Sequence, residues 1–240
     1  MIQYRNVDNW KLINYQGHDI KGVYSSIGKV WPQETPPTPT FEGKWLATYT
    51  GGTVSSAECD ATSAITRNEI NLAKLVAVEI GECVTSIGTN AFREGYLSAV
   101  TFPNTLETIG DSAFKGCHRL SSLTIPNSVT SIGREAFNQC TRLPNITISS
   151  NVATIGNRAF QDCSGLTSCT IGSAITSIGE SAFYNCNYLT KLTIEATTPP
   201  ALGGYTFELT NNCPIYVPAQ SVSAYQSAWS SYSSRIQAIQ

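Results

Sequence analysis

Two rhythms of apolar residues alternate along most of the chain. Segments such as LSSLTI, Leu120 to Ile125, place Leu123 and Ile125 either side of Thr124, the period of two that buries one face of a strand. The form recurs as LSAVTF from Leu97, LPNITI from Leu143, LTSCTI from Leu166 and LTKLTI from Leu189. Between these segments lies a second pattern: IGTNAF at Ile87, IGDSAF at Ile109, IGREAF at Ile132, IGNRAF at Ile155 and IGESAF at Ile178. Its continuation, A-F-x-x-C-x-x-L, has near-helical spacing and predicts a short helical turn with Phe as the bulky core residue. The glycine is expected at a corner, where it takes positive φ or lets two backbones approach closely. Three residues before each Ile-Gly, an apolar slot is filled by Val84, Leu106, Val129, Val152 and Ile175.

Gly88, Gly110, Gly133, Gly156 and Gly179 are spaced by one interval of 22 and three of 23, which is the signature of a repeat array. So short a period leaves no room for long crossover helices. Each coil instead returns the chain to lay its strand beside the previous one, about 4.8 Å away, in a parallel sheet. Cys117, Cys140, Cys163 and Cys186 each follow a repeat Phe by three residues and read as a buried ladder of small apolar side chains. Their Cβ vectors should run parallel, which disfavours bonds between rungs, and no C-x-x-C spacing suggests zinc. Cys169 stands in a slot filled elsewhere by Leu123 and Leu192. Cys59, Cys83 and Cys213 lie off the ladder, and a bond between Cys59 and Cys83 would close an amino-terminal cap.

A unit reading Cys-x-x-Leu-x-x-Leu-x-Ile-Pro/Ser/Gly-x-x-Val-x-x-Ile-Gly-x-x-Ala-Phe, best seen from Cys117 to Phe137, resembles the BspA-like, or Treponema-type, leucine-rich repeats. The resemblance covers roughly Leu75 to Phe207. It implies an α/β solenoid: a right-handed leucine-rich-repeat superhelix with a concave parallel β-sheet and short helical turns on the convex side, capped at both ends. It also implies adhesion or protein binding, commonly at bacterial or protist surfaces; a bacterial source, a gut commensal, is expected.

Five pieces are expected along the chain: residues 1–31, a small amino-terminal attachment segment; 32–40, a Pro-rich linker; 41–72, a β-hairpin cap; 73–207, the solenoid of five clear and one or two degenerate repeats; and 208–240, a strand-helix cap. A solenoid needs such caps because an open terminal edge would recruit other chains. The first cap is read from KWLATYT and TVSSAEC about Gly51-Gly52. In the second, a strand at Pro214–Val217 precedes a helix from about Pro218. Val222, Tyr225, Trp229, Tyr232 and Ile236 make its apolar stripe, which caps the last coil or, alternatively, binds sugar. The segment IKGVYSSIGKVWP, Ile20 to Pro32, suggests two short strands about Ser-Ser-Ile-Gly. Its V-Y-x-x-x-G-x-V-W form resembles attachment pieces of some gut-phage structural proteins.

The chain has 240 residues, of which 13% are charged, with a net charge of −2. No overall basic field is present to hold nucleic acid, no membrane insertion is expected, and no secretory signal is visible. No nucleophile or metalloprotease motif occurs, so an enzyme is not expected; neither is a cofactor nor a metal. His18 and His118 lie in different modules. Glu107, Asp111, Glu135 and Glu180 occupy variable repeat positions and read as solvated charges. The informative surface is the strand row. Thr101, Thr124, Thr147, Thr170 and Thr193 should point outward from the concave sheet, varied by Ser122, Asn145, Ser168 and Lys191. These residues are the candidate binding face for a protein or glycan. The function expected is a non-enzymatic adhesion or recognition module, extracellular or at the cell surface. The alternative is a phage virion or assembly component, with residues 1–31 on an assembly partner and the solenoid as receptor-binding tip.

Overall fold

In the computed structural model, Leu75 to Gln240 are described in full, together with Ile65 and the backbone of six strands within residues 2–65. The chain divides into two compact units, residues 1–41 and 42–240. In the first, strands Ile2–Val7, Trp10–Tyr15 and His18–Ser25 form an antiparallel sheet in sequence order, with a register shift between Lys11 and Ile13. The first two of these strands are absent from the sequence reading. The Ser-Ser-Ile-Gly turn and the Pro-rich linker lie outside the described residues.

The second unit is a parallel β-solenoid. One row of strands follows the L-x-x-L-x-I segments: Leu75–Ile80, Ala99–Thr101, then Asn145–Ile148, Ser168–Ile171, Lys191–Ile194, Ile215–Val217 and Ile236–Ala238. Registers hold every repeat in phase, with Ile146 opposite Cys169 opposite Leu192. Strands of one length and one apolar phase can pair this way without turning any buried face to water. The rung at Leu120–Ile125 is reduced to a single bridge between Ala99 and Ser122. Pro144 is part of the cause. Ser98, Ser121, Thr167 and Thr190 each donate their N–H to the preceding rung at 2.7–3.0 Å, and proline has no proton to donate to Ser121.

A second row joins seven two-residue strands at the x-Ile positions: Ala64–Ile65, Ser86–Ile87, Thr108–Ile109, Ser131–Ile132, Thr154–Ile155, Ser177–Ile178 and Ala201–Leu202. The repeat glycines therefore sit at the end of a sheet rung. Of the two roles open to them, close approach is the one realised: a methyl built on Gly156 would stand 2.5 Å from the Arg134 nitrogen and the Gly133 carbonyl carbon. Positive φ falls two residues later, on Asn90, Ser112, Glu135, Arg158 and Ser181.

The A-F-x-x-C segments are turns, which corrects the expected helical ones. Alternate N–H groups go in different directions. Ala136, Asn138 and Cys140 donate to the carbonyl three residues back, whereas Glu135, Phe137 and Gln139 donate to Asn157, Ala159 and Gln161 of the next repeat. An α-helix would keep all these donors to itself. Sharing them along the stacking axis needs left-handed residues at Glu135 and Gln139, with φ of 55° and 62°.

Inside the coils, Phe92, Phe114, Phe137, Phe160, Phe183 and Phe207 stack in one spine, with centroids 5.0–5.7 Å apart and planes within 23°. All six are buried. Burial of a Phe is worth up to about 3 kcal/mol, and such ring pairs add roughly 0.5–1.5 kcal/mol each.

Both ends of the solenoid are covered. Strand Gly43–Tyr49 pairs antiparallel with Val54–Glu58 on one side and with Leu75–Ile80 on the other. At the carboxy-terminal end the helix is shorter than expected, Val222–Ala228, because Trp229 leaves helical geometry at φ −112°, ψ 55°. A 3-10 stretch, Ser230–Arg235, then delivers the chain into strand Ile236–Ala238, parallel to Ile215–Val217. Tyr225, Trp229, Tyr232 and Ile236 are buried as the stripe implies, and Trp229 and Tyr232 lie against Phe207 at the end of the spine.

Candidate binding face

The Thr ladder lies where the alternation puts it. Thr147, Thr170 and Thr193 stand opposite one another, as do Asn145, Ser168 and Lys191. Thr101, Ser122, Thr124, Asn145, Thr147 and Lys191 are exposed, and Ser168, Thr170 and Thr193 are half-buried. Thr101 pairs with Glu79, so the outward column begins on the first rung with a carboxylate. At the other end it continues past Thr193 to Tyr216, whose ring lies 5.8 Å from the Lys191 Nζ. Glu79 and Tyr216 were not among the expected site residues. Both lie in degenerate repeats that lack the Thr, although their strand phase matches.

Two kinds of hydroxyl occupy this surface. Ser98, Ser121, Thr167 and Thr190, at the start of each rung, donate to carbonyls of the preceding repeat at 2.8–3.3 Å. They are tied into the scaffold. Among the described residues, the hydroxyls of Thr124, Thr147, Thr170 and Thr193 have no such partner.

Elsewhere polar groups serve the stack. Cys117, Cys140, Cys163 and Cys186 are free and buried, and each thiol donates to the Phe carbonyl of an earlier repeat at 3.1–3.3 Å. Burial pushes Cys117 and Cys163 up to about 12, so these thiols are poor nucleophiles and poor metal ligands. Cys83 is disulfide-bonded, and Cys59 lies outside the described residues.

One of the carboxylates expected to be solvated is not, and a second is exposed but hydrogen-bonded. Glu135 is half-buried and bonded to Lys115 at 2.5 Å, with Arg134 and Arg158 at 3.4 and 3.9 Å. The Lys115 hydrogen bond, helped by these charges, holds its carboxyl below the usual range. Asp111 accepts the backbone N–H of Arg134 at 2.7 Å, a contact Asn157 repeats toward Glu180 at 3.0 Å. Periodicity hides such pairs, because their partners lie one repeat away.

The aromatic stripe of the cap keeps its polar atoms inside the protein. Tyr225 donates to Ala196 and Trp229 to Pro200, at 2.9 and 3.1 Å. These bonds favour capping over sugar binding. A recess of about 690 Å³ opens beside the cap, lined by Asn185, Asn187, Asn211, Asn212, Tyr232 and Arg235, among others. Arg235 donates to Cys213 and Phe207 carbonyls and to the Thr210 hydroxyl, which anchors the cap.

No curated protein matches the chain in sequence. Among solved structures it is similar to the leucine-rich repeat protein of T. pallidum, at 21% identity and a TM-score of 0.61, over 75% of this chain and 82% of that one. It is also similar to a leucine-rich cell surface protein of Faecalibacterium prausnitzii A2-165, at 24% identity and a TM-score of 0.56, over 90% of this chain and 54% of that one. The pneumococcal vaccine antigen PcpA matches at 19% identity and a TM-score of 0.56, over 79% and 46%. The chain thus spans most of the first protein and about half of the other two. At these identities the likeness is one of fold. The model of the BspA-type leucine-rich repeat region matches in six copies over residues 64–190 and 154–239, most of the chain. With its phase-locked strands and its Phe spine, this chain belongs to the BspA-type leucine-rich repeat family.

Proposed function

We propose that the chain is a non-enzymatic adhesion or recognition module that binds a protein or glycan through its outward strand face. The residues assigned to that face are Thr101, Ser122, Thr124, Asn145, Thr147, Ser168, Thr170, Lys191 and Thr193. One observation carries the reading. The solenoid uses the hydroxyls of Ser98, Ser121, Thr167 and Thr190 to tie repeats together, yet leaves those of Thr124, Thr147, Thr170 and Thr193 on the outward face without a partner among the described residues. A hydroxyl surface on a rigid sheet offers donors and acceptors at fixed spacing with little ordering cost.

We place the protein at a cell surface. The family and the cell-surface description of the F. prausnitzii protein support this, and the bonded Cys83 suits an oxidising setting. The alternative, a virion or assembly component, draws on the separate three-stranded unit within residues 1–41, which would dock an assembly partner.

The test is binding of the purified chain to a glycan array and to intact bacterial and epithelial cells, compared with Thr124→Arg/Thr147→Arg/Thr170→Arg. Loss of binding by at least about tenfold, with circular dichroism and melting unchanged, is expected. Full retention would overturn the assignment of this face.

A further inference from the structure

Beside the strand face runs a column of residues that the Thr ladder does not use. Each member precedes the first leucine of a rung: Tyr96 before Leu97, Arg119 before Leu120, Arg142 before Leu143, Gly165 before Leu166 and Tyr188 before Leu189. The leucines are buried, and the residues before them form a rim. Tyr96 and Tyr188 are 55% and 66% exposed, high values for tyrosines, and both arginines are exposed.

Charge makes the rim unusual. Among the described residues, neither Arg119 nor Arg142 has an ion-pair partner. The carboxylates that do form ion pairs take other cations: Glu94 takes Arg93, and Glu135 takes Lys115, Arg134 and Arg158. Asp162 is occupied by the amides of Asn185 and Gln161. Arg119 lies instead over the Tyr96 ring, with its Cζ 5.1 Å from the ring centroid. Stacked rungs stand about 4.8 Å apart, so two like charges face solvent one rung from each other. The four steps between the five rungs from Tyr96 to Tyr188 span roughly 19 Å. At Gly165 a side chain cannot be added, since its Cβ would run into the Thr141 carbonyl, so a bare step lies between the arginines and Tyr188.

We propose that this rim binds an acidic polysaccharide laid along the stacking axis. Arg119 and Arg142 take successive carboxylate or sulfate groups in forked hydrogen bonds. Tyr188 offers a flat face to a sugar ring at one end and Tyr96, at the other, the face that Arg119 does not cover, and the bare step at Gly165 admits a ring against the backbone. A chain of acidic residues alone, such as polyglutamate, would satisfy the arginines but has no ring faces to set on the tyrosines. The net charge of −2 means that the attraction is local, not a field of the whole protein. The proposal uses none of the Thr-ladder side chains, so the two readings fail separately.

The experiment measures binding of the full chain to heparin, polygalacturonate, neutral dextran and polyglutamate at low and raised salt. Binding to at least one of the two acidic polysaccharides, weakened by salt, and none to dextran, is expected; which of the two is preferred separates sulfate from carboxylate. Arg119→Ala/Arg142→Ala should lower the affinity at least about tenfold, since both forked charge pairs are lost together. Tyr96→Ala/Tyr188→Ala should weaken polysaccharide binding while leaving any polyglutamate binding unchanged. Gln226→Ala, an exposed position on the cap helix outside both the rim and the strand face, should change none of these values. These residues are exposed, so circular dichroism should match wild type in every variant. Failure to bind either polysaccharide, undiminished binding by the arginine variant, or polyglutamate binding as tight as polysaccharide binding would overturn the proposal.

Discussion

Within IGxxAF, the residue that must be glycine and the residue with glycine-like backbone geometry are different. Gly156 has no room for a Cβ, whereas Gln139 and Arg158 carry full side chains at φ of 62° and 59°. A left-handed residue other than glycine costs roughly 1–2 kcal/mol, and the coil accepts this cost at two places per repeat because each releases an N–H to the next repeat. Substitution should reverse the usual expectation. Gly156→Ala is expected to lower unfolding free energy by more than about 1 kcal/mol, through backbone collision. Gln139→Gly, on an exposed left-handed turn, should be neutral or slightly stabilising. Urea denaturation of the two variants checks this, and equal losses in both would refute the division of roles. The glycine was legible in the sequence as a repeated letter, with close approach as one of two reasons; which of the two holds was not, because close approach is a distance between repeats.

At the scale of the element, a rung is strong only if every donor in it is present. Pro144 interrupts the strand row at a position where its neighbours supply an N–H. Pro144→Thr would put there the residue found at positions 167 and 190, with a hydroxyl able to donate to the Ser121 carbonyl as Thr190 does to Thr167 at 3.0 Å. A gain of about 0.5–1.5 kcal/mol is expected, with slower amide exchange at residues 121–125 and 145–148. No gain would mean that rung is held open by something other than the missing proton. The strand phase was readable from L-x-x-L-x-I alone, because alternation with buried neighbours has only one solution. The turns were not. A-F-x-x-C has helical spacing, and only the carbonyls of the adjacent repeat, competing for alternate N–H groups, decide against a helix.

For the molecule as a whole, stability is a sum over stacked coils, and a property repeated in each coil is multiplied. The buried thiols are such a property. In the unfolded chain a thiol ionises near its usual value of about 9, while burial raises Cys117 and Cys163 to about 12 and Cys140 and Cys186 well above the usual value. The folded state holds these protons more tightly. Its advantage is therefore complete below about pH 9 and is lost as pH rises toward 12. The midpoint of urea unfolding should fall through that interval, and Cys117→Ala/Cys163→Ala should flatten the fall. A wild-type midpoint that stays level up to about pH 11 would contradict it.

By itself the sequence determined the period, the buried set and the outward phase of each strand. These follow from alternation and spacing within one coil, which local chemistry dictates. Only the tertiary structure decided which hydroxyls are bound and which are free, which arginines lack a partner, and where the helix of the cap ends. Each of those outcomes depends on a neighbour 20 or more residues away in the chain and one rung away in space, such as the Thr167 hydroxyl on the Pro144 carbonyl or the Tyr96 ring beneath Arg119.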